Sequence, residues 1–311
     1  MKAARLHTFG SALNIDDVDE PDPQGDDVVV DVKVAAVNPL DLWVAEGSVA
    51  GGSQPLPMAL GTEGVAEYEG RRVIVNGFGL GVARDGLYRE RADVPPAALT
   101  DVPDGIDDAQ AAAASVVGIT AKRAFEVADL AAGERVVVLG ASGGVGTVAV
   151  QVGKLLGAQV IAVTSSEEKR ADLEQLGADE VVVSSVEGLP EAIAEPVDLV
   201  LNPLAGASID PITSILRVRG RQVLFGRSLG DRAEFGAGDL YRKGISVIGY
   251  GGLADTPEQK DGSRGWILER IAEGKLRIPI AAELSLDDAA EALDRLSRHS
   301  VVGKLVLRVG G

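Results

Sequence analysis

Two hydrophobic periods divide this chain. In residues 26–38, "DDVVVDVKVAAVN", a polar start gives way to alternation, which predicts a half-buried β-strand. "RRVIVNG" at 71–77 predicts another short strand ending in a turn. Gly- and Pro-rich connectors lie between them: "PDPQG", "GSVAGGSQPLP" and "GFGLG". Residues 1–100 therefore read as a small, twisted, antiparallel or barrel-like domain. The pattern changes near 104. "DGIDDAQAAAASVVGITAKRAFEVA" predicts a helix that Asp107 or Asp104 can cap. From 135, short apolar strands alternate with helices. Strands are expected at 135–140, 159–164, 180–184, 197–202, 221–226 and 245–250, with helices over about 144–157 and 167–176 among the connections. Strands apolar on both faces predict a doubly wound parallel sheet, hence an α/β fold. A helix over about 264–273 follows, then a strand-rich tail with a helix over about 287–297.

Composition narrows the picture. At 311 residues the chain is long for one core, so two domains are expected. Aromatics are only 4% against 46% hydrophobic residues, so Val, Ala, Leu and Ile must fill the core, as suits an α/β protein. A net charge of −17 repels phosphate backbones and disfavours a nucleic-acid partner. There is no cysteine, hence no disulfide and no thiolate metal site. The N-terminus "MKAARLHTFG" lacks the apolar run of a secretory signal, and no run approaches a membrane span. A soluble, cytoplasmic protein with no membrane partner is expected.

The most informative segment is "VVVLGASGGVGTVAVQVGKLLGAQVIAVTSSEEKR" at 136–170. Gly140, Gly143 and Gly146 stand three apart where a strand turns into a helix. Glycine permits the tight turn and a close backbone approach to a pyrophosphate, and Gly146 lets the helix pack on the strand. The helix N-terminus then offers N–H groups and a positive dipole end to an anion. Ser142, Gly143, Gly144 and Val145 would face the pyrophosphate. An NAD site would carry Asp or Glu at the end of the second strand. This chain has Thr164, Ser165 and Ser166 there, followed by Lys169 and Arg170, which suits the 2′-phosphate of NADPH. Asn202, Phe225, Gly226 and Ser228 lie at the carboxyl ends of later strands, where the nicotinamide half would rest.

Taken in order, several segments resemble the zinc-free, quinone oxidoreductase-like branch of the medium-chain dehydrogenase/reductase superfamily. "VAAVNPLDLWVAEG" (34–47) is similar to its Asn-Pro-x-Asp motif and "LGTEG" (60–64) to its Gly-Thr-Glu motif. "DGLYRE" (85–90), "VGITAKRAF" (117–125), "GASGGVG", "GRQVLFGRSLG" (220–230) and "VVGKLVL" (301–307) follow the same order. The resemblance covers almost the whole chain. It implies a GroES-like β-rich catalytic domain from both chain ends, 1–118 and 276–311. It also implies an inserted Rossmann dinucleotide-binding domain over 119–275, and a homodimer paired through the edge strand at 245–250.

"MALGTEG" (58–64) then raises the question of the metal. The zinc-dependent branch of the superfamily places a Cys near position 38 and a His near position 62; this chain, similar to the zinc-free branch, has Asn38 and Thr62. Its two histidines, His7 and His299, lie near the termini. Catalytic zinc needs about three protein ligands, so no metal is expected. Without a Lewis acid, the acceptors that remain are quinones and alkenes conjugated to a carbonyl. The resemblance implies NADPH-dependent hydride transfer to a quinone or similar small-molecule electron acceptor. Enone or enoyl reduction, and a non-catalytic NADPH-binding sensor or stress protein, stay open beside it. Asn38 is the first candidate for the active site, its amide able to donate to an acceptor oxygen. Thr62 and Thr120 are candidates for substrate or nicotinamide contact, whereas Asp41 and Tyr88 read as structural, and Lys304, in the Gly-Lys of the tail segment that carries the resemblance, as a strand residue or a cofactor contact. Trp43 and Val49 stand where relatives often carry Tyr, which leaves a more apolar cleft.

Overall fold

The strand expected at 26–38 spans Val28–Ala36, and the alternation decides its faces. Val30, Val32 and Val34 are buried while Asp31 is exposed; at Ala35 and Ala36 both faces are covered. The computed structural model describes residues 1–49, 52–298 and 301–310. The chain divides into two compact units, Met1–Val116 with Leu268–Gly311, and Val117–Ile267. The boundaries expected from sequence were 118/119 and 275/276.

In the first unit a seven-stranded sheet runs in the order Ile280–Ser285, Lys304–Arg308, Val28–Ala36, Glu63–Tyr68, Arg71–Asn76, Leu99–Asp101, and Arg91–Val94 pairs beside Val28–Ala36. A three-stranded sheet of Asn14–Asp17, Lys2–Leu6 and Met58–Ala59 completes the β structure. The C-terminal strand thus lies antiparallel to an N-terminal one, with Val306 opposite Ala36. Carrying that register two residues further sets Lys304 beside Asn38, and Val37 N–H indeed bonds Leu305 O at 3.0 Å. On the other edge Ala35 faces Gly64, so Glu63 comes level with Ala36. Sheet register alone therefore brings positions 38, 63 and 304 together. Two glycines of "LGTEG" make this closeness possible. Gly61 has φ +97°, and a Cβ there would sit 2.4 Å from the Tyr88 ring. A Cβ on Gly64 would lie 2.5 Å from Val34 O.

The second unit is a parallel six-stranded sheet in the order Glu180–Val183, Gln159–Thr164, Arg135–Val138, Val197–Asn202, Leu216–Leu224, Ser246–Gly249. Numbered along this unit the order is 3-2-1-4-5-6, the doubly wound arrangement, which reverses direction between Arg135–Val138 and Val197–Asn202. All six side chains of Val197–Asn202 are buried, the polar Asp198 and Asn202 included, as befits a central strand covered on both faces. Its core joins Val137, Leu139, Ile161, Val163, Val200 and Ile212. Among the described residues no helix is long and apolar enough to cross a membrane.

Some element boundaries differ from the sequence reading. The helix expected from 264 begins at Pro257. Thr256 N–H bonds Gln259 Oε1 at 2.9 Å and Gln259 N–H bonds Thr256 Oγ1 at 3.3 Å, a reciprocal cap ahead of a Pro in the first helical position. Gly262 and Gly265 masked the periodicity of those first turns. The helix expected at 167–176 opens as a 3₁₀ turn, Glu167–Lys169, before Arg170–Gln175. Of the two caps weighed for the helix Asp108–Val127, Asp107 is the one used, its Oδ1 accepting Gln110 N–H at 2.9 Å.

Candidate active site

Asn38 ends the turn after Val28–Ala36 and caps the short helix Pro39–Ala45, its backbone N–H donating to Asp41 Oδ2 at 2.8 Å. Its carboxamide lies inside the first unit, 1% exposed. Nδ2 donates to Thr62 Oγ1 at 3.3 Å and to Glu63 Oε1 at 3.0 Å. Oδ1 accepts from Lys304 Nζ at 2.6 Å. The Lys304 ammonium also donates to Val37 O at 2.7 Å and reaches Glu63 Oε1 at 3.4 Å. Glu63 Oε2 takes the Val116 N–H at 2.7 Å. Tyr88 O–H donates to Asp41 Oδ2 at 3.0 Å, while Asp41 Oδ1 is buried without a hydrogen-bond partner. Thr62, at 5% exposed, is the Asn38 neighbour nearest the surface.

Burial sets the electrostatics here. It pushes the Asp41 carboxyl up to about 6, against the Asn38 N–H and the Tyr88 hydroxyl, which favour the carboxylate. Burial also raises the Tyr88 phenol well above its ordinary value, and the Asp41 charge adds to it. For Lys304 burial lowers the ammonium's pKa, opposed by the charges of Glu63 and Asp41. A lysine held this deep is stable as a cation only because three acceptors, one of them a carboxylate, surround it.

The glycine loop is built from backbone. Gly140 has φ +59°, and its carbonyl accepts Gly143 N–H at 2.9 Å. A Cβ on Gly146 would lie 2.3 Å from Gly140 O and 2.7 Å from Ala141 Cα, so only glycine fits. The helix Gly144–Leu155 follows, and its first intrahelical bond runs from Thr147 N to Gly143 O at 2.9 Å. The N–H groups of Gly144, Val145 and Gly146 therefore have no partner within the helix. Gly143 is exposed, Gly144 and Val145 are half-buried, and Ser142 is buried. A pyrophosphate fits this cradle by dipole, donors and absence of side chains.

Other expected positions fall in the same unit. Thr164 is buried at the end of its strand, Ser165 is exposed, and Ser166 and Lys169 are both half-buried. Arg170 is committed to Glu167 and to Val181 O, the latter at 2.7 Å. Asn202 is wholly buried rather than open to a ligand. Its Oδ1 accepts the N–H groups of Leu204 at 2.9 Å and Ala205 at 3.3 Å, and its Nδ2 donates to Ser208 Oγ at 2.9 Å and Gln222 Oε1 at 3.2 Å. It holds the loop 203–206, where Ala205 has φ +51°. That loop is laced to the next: Phe225 N–H bonds Asn202 O at 3.1 Å, Ser228 Oγ reaches Pro203 O at 3.3 Å, and a Cβ on Gly226 would lie 2.2 Å from Pro203 O.

The structure brings Asn38 and Thr62 together; Thr120, on the helix Asp108–Val127, belongs to the second unit and is not hydrogen-bonded into this network. Four members were missed as site residues: Asp41, Glu63, Tyr88 and Lys304. Asp41 and Tyr88 read as structural, and Lys304 as a strand residue or cofactor contact. Only the Gly-Lys pair at 303–304 hinted at Lys304, because its partners are distant in sequence. Zinc does not fit these residues. An amide, a hydroxyl and one carboxylate already bonded to an ammonium supply no three-ligand set. Among the described residues no group of three or more His, Cys, Asp or Glu could hold a metal ion. His7 pairs with Asp16 at 2.7 Å, and His299 lies outside the described residues.

The family model described as zinc-binding dehydrogenase matches residues 144–262, a stretch that takes in the end of the glycine loop from Gly144 and none of Asn38, Thr62 or Glu63. The chain is 32% identical over 317 residues to a phenolphthiocerol/phthiocerol polyketide synthase of Mycobacterium tuberculosis; the match covers 96% of this chain but only 14% of that much longer protein. It is 31% identical to a quinone oxidoreductase of Pseudomonas aeruginosa, over 93% of this chain and 92% of the relative. Among solved structures, the quinone oxidoreductase of Thermus thermophilus, also described in complex with NADPH, superposes with a TM-score of 0.89 at 30% identity, covering 99% of this chain and 100% of that one. With near full-length similarity of this kind, and with a parallel 3-2-1-4-5-6 sheet inserted between two halves of a β-rich unit, the chain belongs to the quinone oxidoreductase-like branch of the medium-chain dehydrogenase/reductase superfamily.

Proposed function

We propose that this oxidoreductase transfers hydride from NADPH to a quinone or a similar conjugated carbonyl acceptor, without a metal. The observation that carries the reading is the Asn38–Thr62 pair. It supplies neutral hydrogen-bond donors where zinc ligands would be needed, in a cluster whose cation is Lys304 rather than a metal. The second unit supplies the nucleotide cradle at 140–146. The first supplies the Thr62 hydroxyl, oriented by Asn38, to receive the acceptor oxygen. NADPH provides the hydride when bound; the chain's own residues orient the acceptor and donate to the oxygen on which negative charge develops. Neutral donors of this strength suit acceptors that take hydride readily.

The choice of NADPH rests on Thr164, Ser165 and Ser166, which put hydroxyls where an NAD site would carry an acid. Lys169 stands close behind them. Arg170 adds less, since Glu167 and Val181 O already hold it. We also propose a homodimer paired through Ser246–Gly249. This is an edge strand of the parallel sheet, with Val247 40% exposed and Tyr241 87% exposed nearby. Light scattering of the purified protein should give twice the monomer mass.

The activity is tested by following NADPH and NADH oxidation with a quinone, an enone and an enoyl thioester in parallel. The expected result is turnover with NADPH and fastest turnover with the quinone. Faster reduction of the enone or thioester would move the activity to double-bond reduction. Nucleotide binding without turnover on any acceptor would favour a non-catalytic, NADPH-binding protein.

A further inference from the structure

The Asn38 carboxamide has two ends, and its neighbours are not alike. Lys304 offers only N–H donors, and the Glu63 carboxylate, when ionised, only acceptors. With Oδ1 on Lys304 at 2.6 Å and Nδ2 on Glu63 at 3.0 Å, both ends are matched. Turning the amide over would set NH₂ against an ammonium and a carbonyl against a carboxylate. Both contacts would be repulsive in a site where Asn38 is 1%, Lys304 3% and Glu63 0% exposed, so water cannot relieve them. The second Nδ2 hydrogen must then point at Thr62 Oγ1, at the longer distance of 3.3 Å. Because Thr62 Oγ1 accepts there, its own hydroxyl hydrogen is turned away from Asn38.

We propose that Lys304 is a positioning residue: opposed to Glu63, it locks the Asn38 carboxamide in the one orientation that directs its second N–H at Thr62 Oγ1, and so turns the Thr62 hydroxyl hydrogen outward to the acceptor oxygen. This rests on the functional reading above for the acceptor, but the locked amide itself does not. In that role Lys304 touches neither substrate nor nucleotide. Its effect travels through Asn38, in contrast to the direct cofactor contact its Gly-Lys setting suggests.

The test uses three variants of the full chain: Lys304→Met, Lys304→Arg and the pair Lys304→Met/Glu63→Gln. The pair removes both charges, so no unpaired charge stays buried if the single change prevents folding. NADPH affinity, kcat and KM are measured together with the Asn38 side-chain ¹H–¹⁵N signals, assigned by their loss in Asn38→Ala. In Lys304→Met and in the pair, kcat should fall roughly 10- to 100-fold while NADPH Kd stays within about 2-fold. The Asn38 amide signals should move and exchange faster with solvent, and Lys304→Arg should recover part of kcat. Wild-type kcat and unmoved Asn38 signals in the pair would overturn the proposal. So would a loss of NADPH affinity equal to the loss of kcat, which would make Lys304 a nucleotide contact. The amide signals are read without turnover. A wild-type protein that reduces none of the acceptors therefore refutes the functional reading and still leaves Lys304 testable.

Discussion

The glycine loop at 140–146 and the cluster around Asn38 are built from opposite materials. The loop is backbone: Gly140 at positive φ, Gly146 packed against Gly140 O, and the N–H groups that open the helix Gly144–Leu155. The cluster is side chain: an amide, a hydroxyl, two carboxylates, a phenol and an ammonium, all buried. A backbone cradle tolerates many sequences outside its glycines and fits any pyrophosphate. A side-chain cluster fixes hydrogen-bond direction, and one exchange can invert it. The difference suggests where each kind of change should be felt, in nucleotide affinity for the loop and in turnover for the cluster.

The largest effect should come from Gly146→Val. A side chain at that site meets the backbone of Gly140 and Ala141, which cannot yield as a flexible side chain would. Denaturant unfolding should show a loss of about 3 kcal/mol or more, with NADPH binding lost as well. Wild-type stability would mean that the helix does not pack as closely on the loop as described.

Asp41 gives the cluster a pH signature. Its carboxyl titrates at about 6 when folded against an ordinary 3.8. Between those values the folded state holds a proton that the unfolded state has released, so stability falls as pH rises through this window. Below it both states are protonated and the effect vanishes; above about 6 the full cost of a buried carboxylate is present, of order 3 kcal/mol. Asp41→Asn removes the titration. Unfolding measured at pH 4 and pH 7.5 should therefore show the variant gaining on the wild type by about 3 kcal/mol at the higher pH. A difference that does not change with pH would show that Asp41 titrates alike in both states.

The smallest effect expected is that of a chelator. Turnover after exhaustive chelation should stay within about 2-fold of the untreated enzyme, since no ligand set here satisfies zinc. Loss on chelation with recovery on added zinc would put a metal back into the mechanism and break the comparison at its side-chain end.

The two regions also differ in how far the sequence revealed them. Gly140, Gly143 and Gly146 are close in the chain, and their spacing at a strand-to-helix junction already describes the turn. The parallel strands were legible for the same local reason, since each is a short apolar run. Lys304 and Asn38 are 266 residues apart, and what joins them is the register between Lys304–Arg308 and Val28–Ala36. No local period encodes that pairing. Asn202 was legible as the end of a strand. That its side chain turns inward to hold the loop 203–206 depends on Ser208 and Gln222, which local pattern does not connect to it.

The most direct test measures NADPH affinity and turnover side by side in Gly143→Asp and Asn38→Ala. Gly143→Asp places a charge at the exposed tip of the loop, close to where a pyrophosphate would lie. It should weaken NADPH binding at least roughly 10-fold, while kcat at saturating nucleotide changes much less. Asn38→Ala should leave Kd within about 2-fold and lower kcat by roughly 100-fold. That crossed pattern is what a backbone cradle and a side-chain cluster with separate roles predict. Normal turnover in Asn38→Ala, or unchanged NADPH affinity in Gly143→Asp, would contradict it.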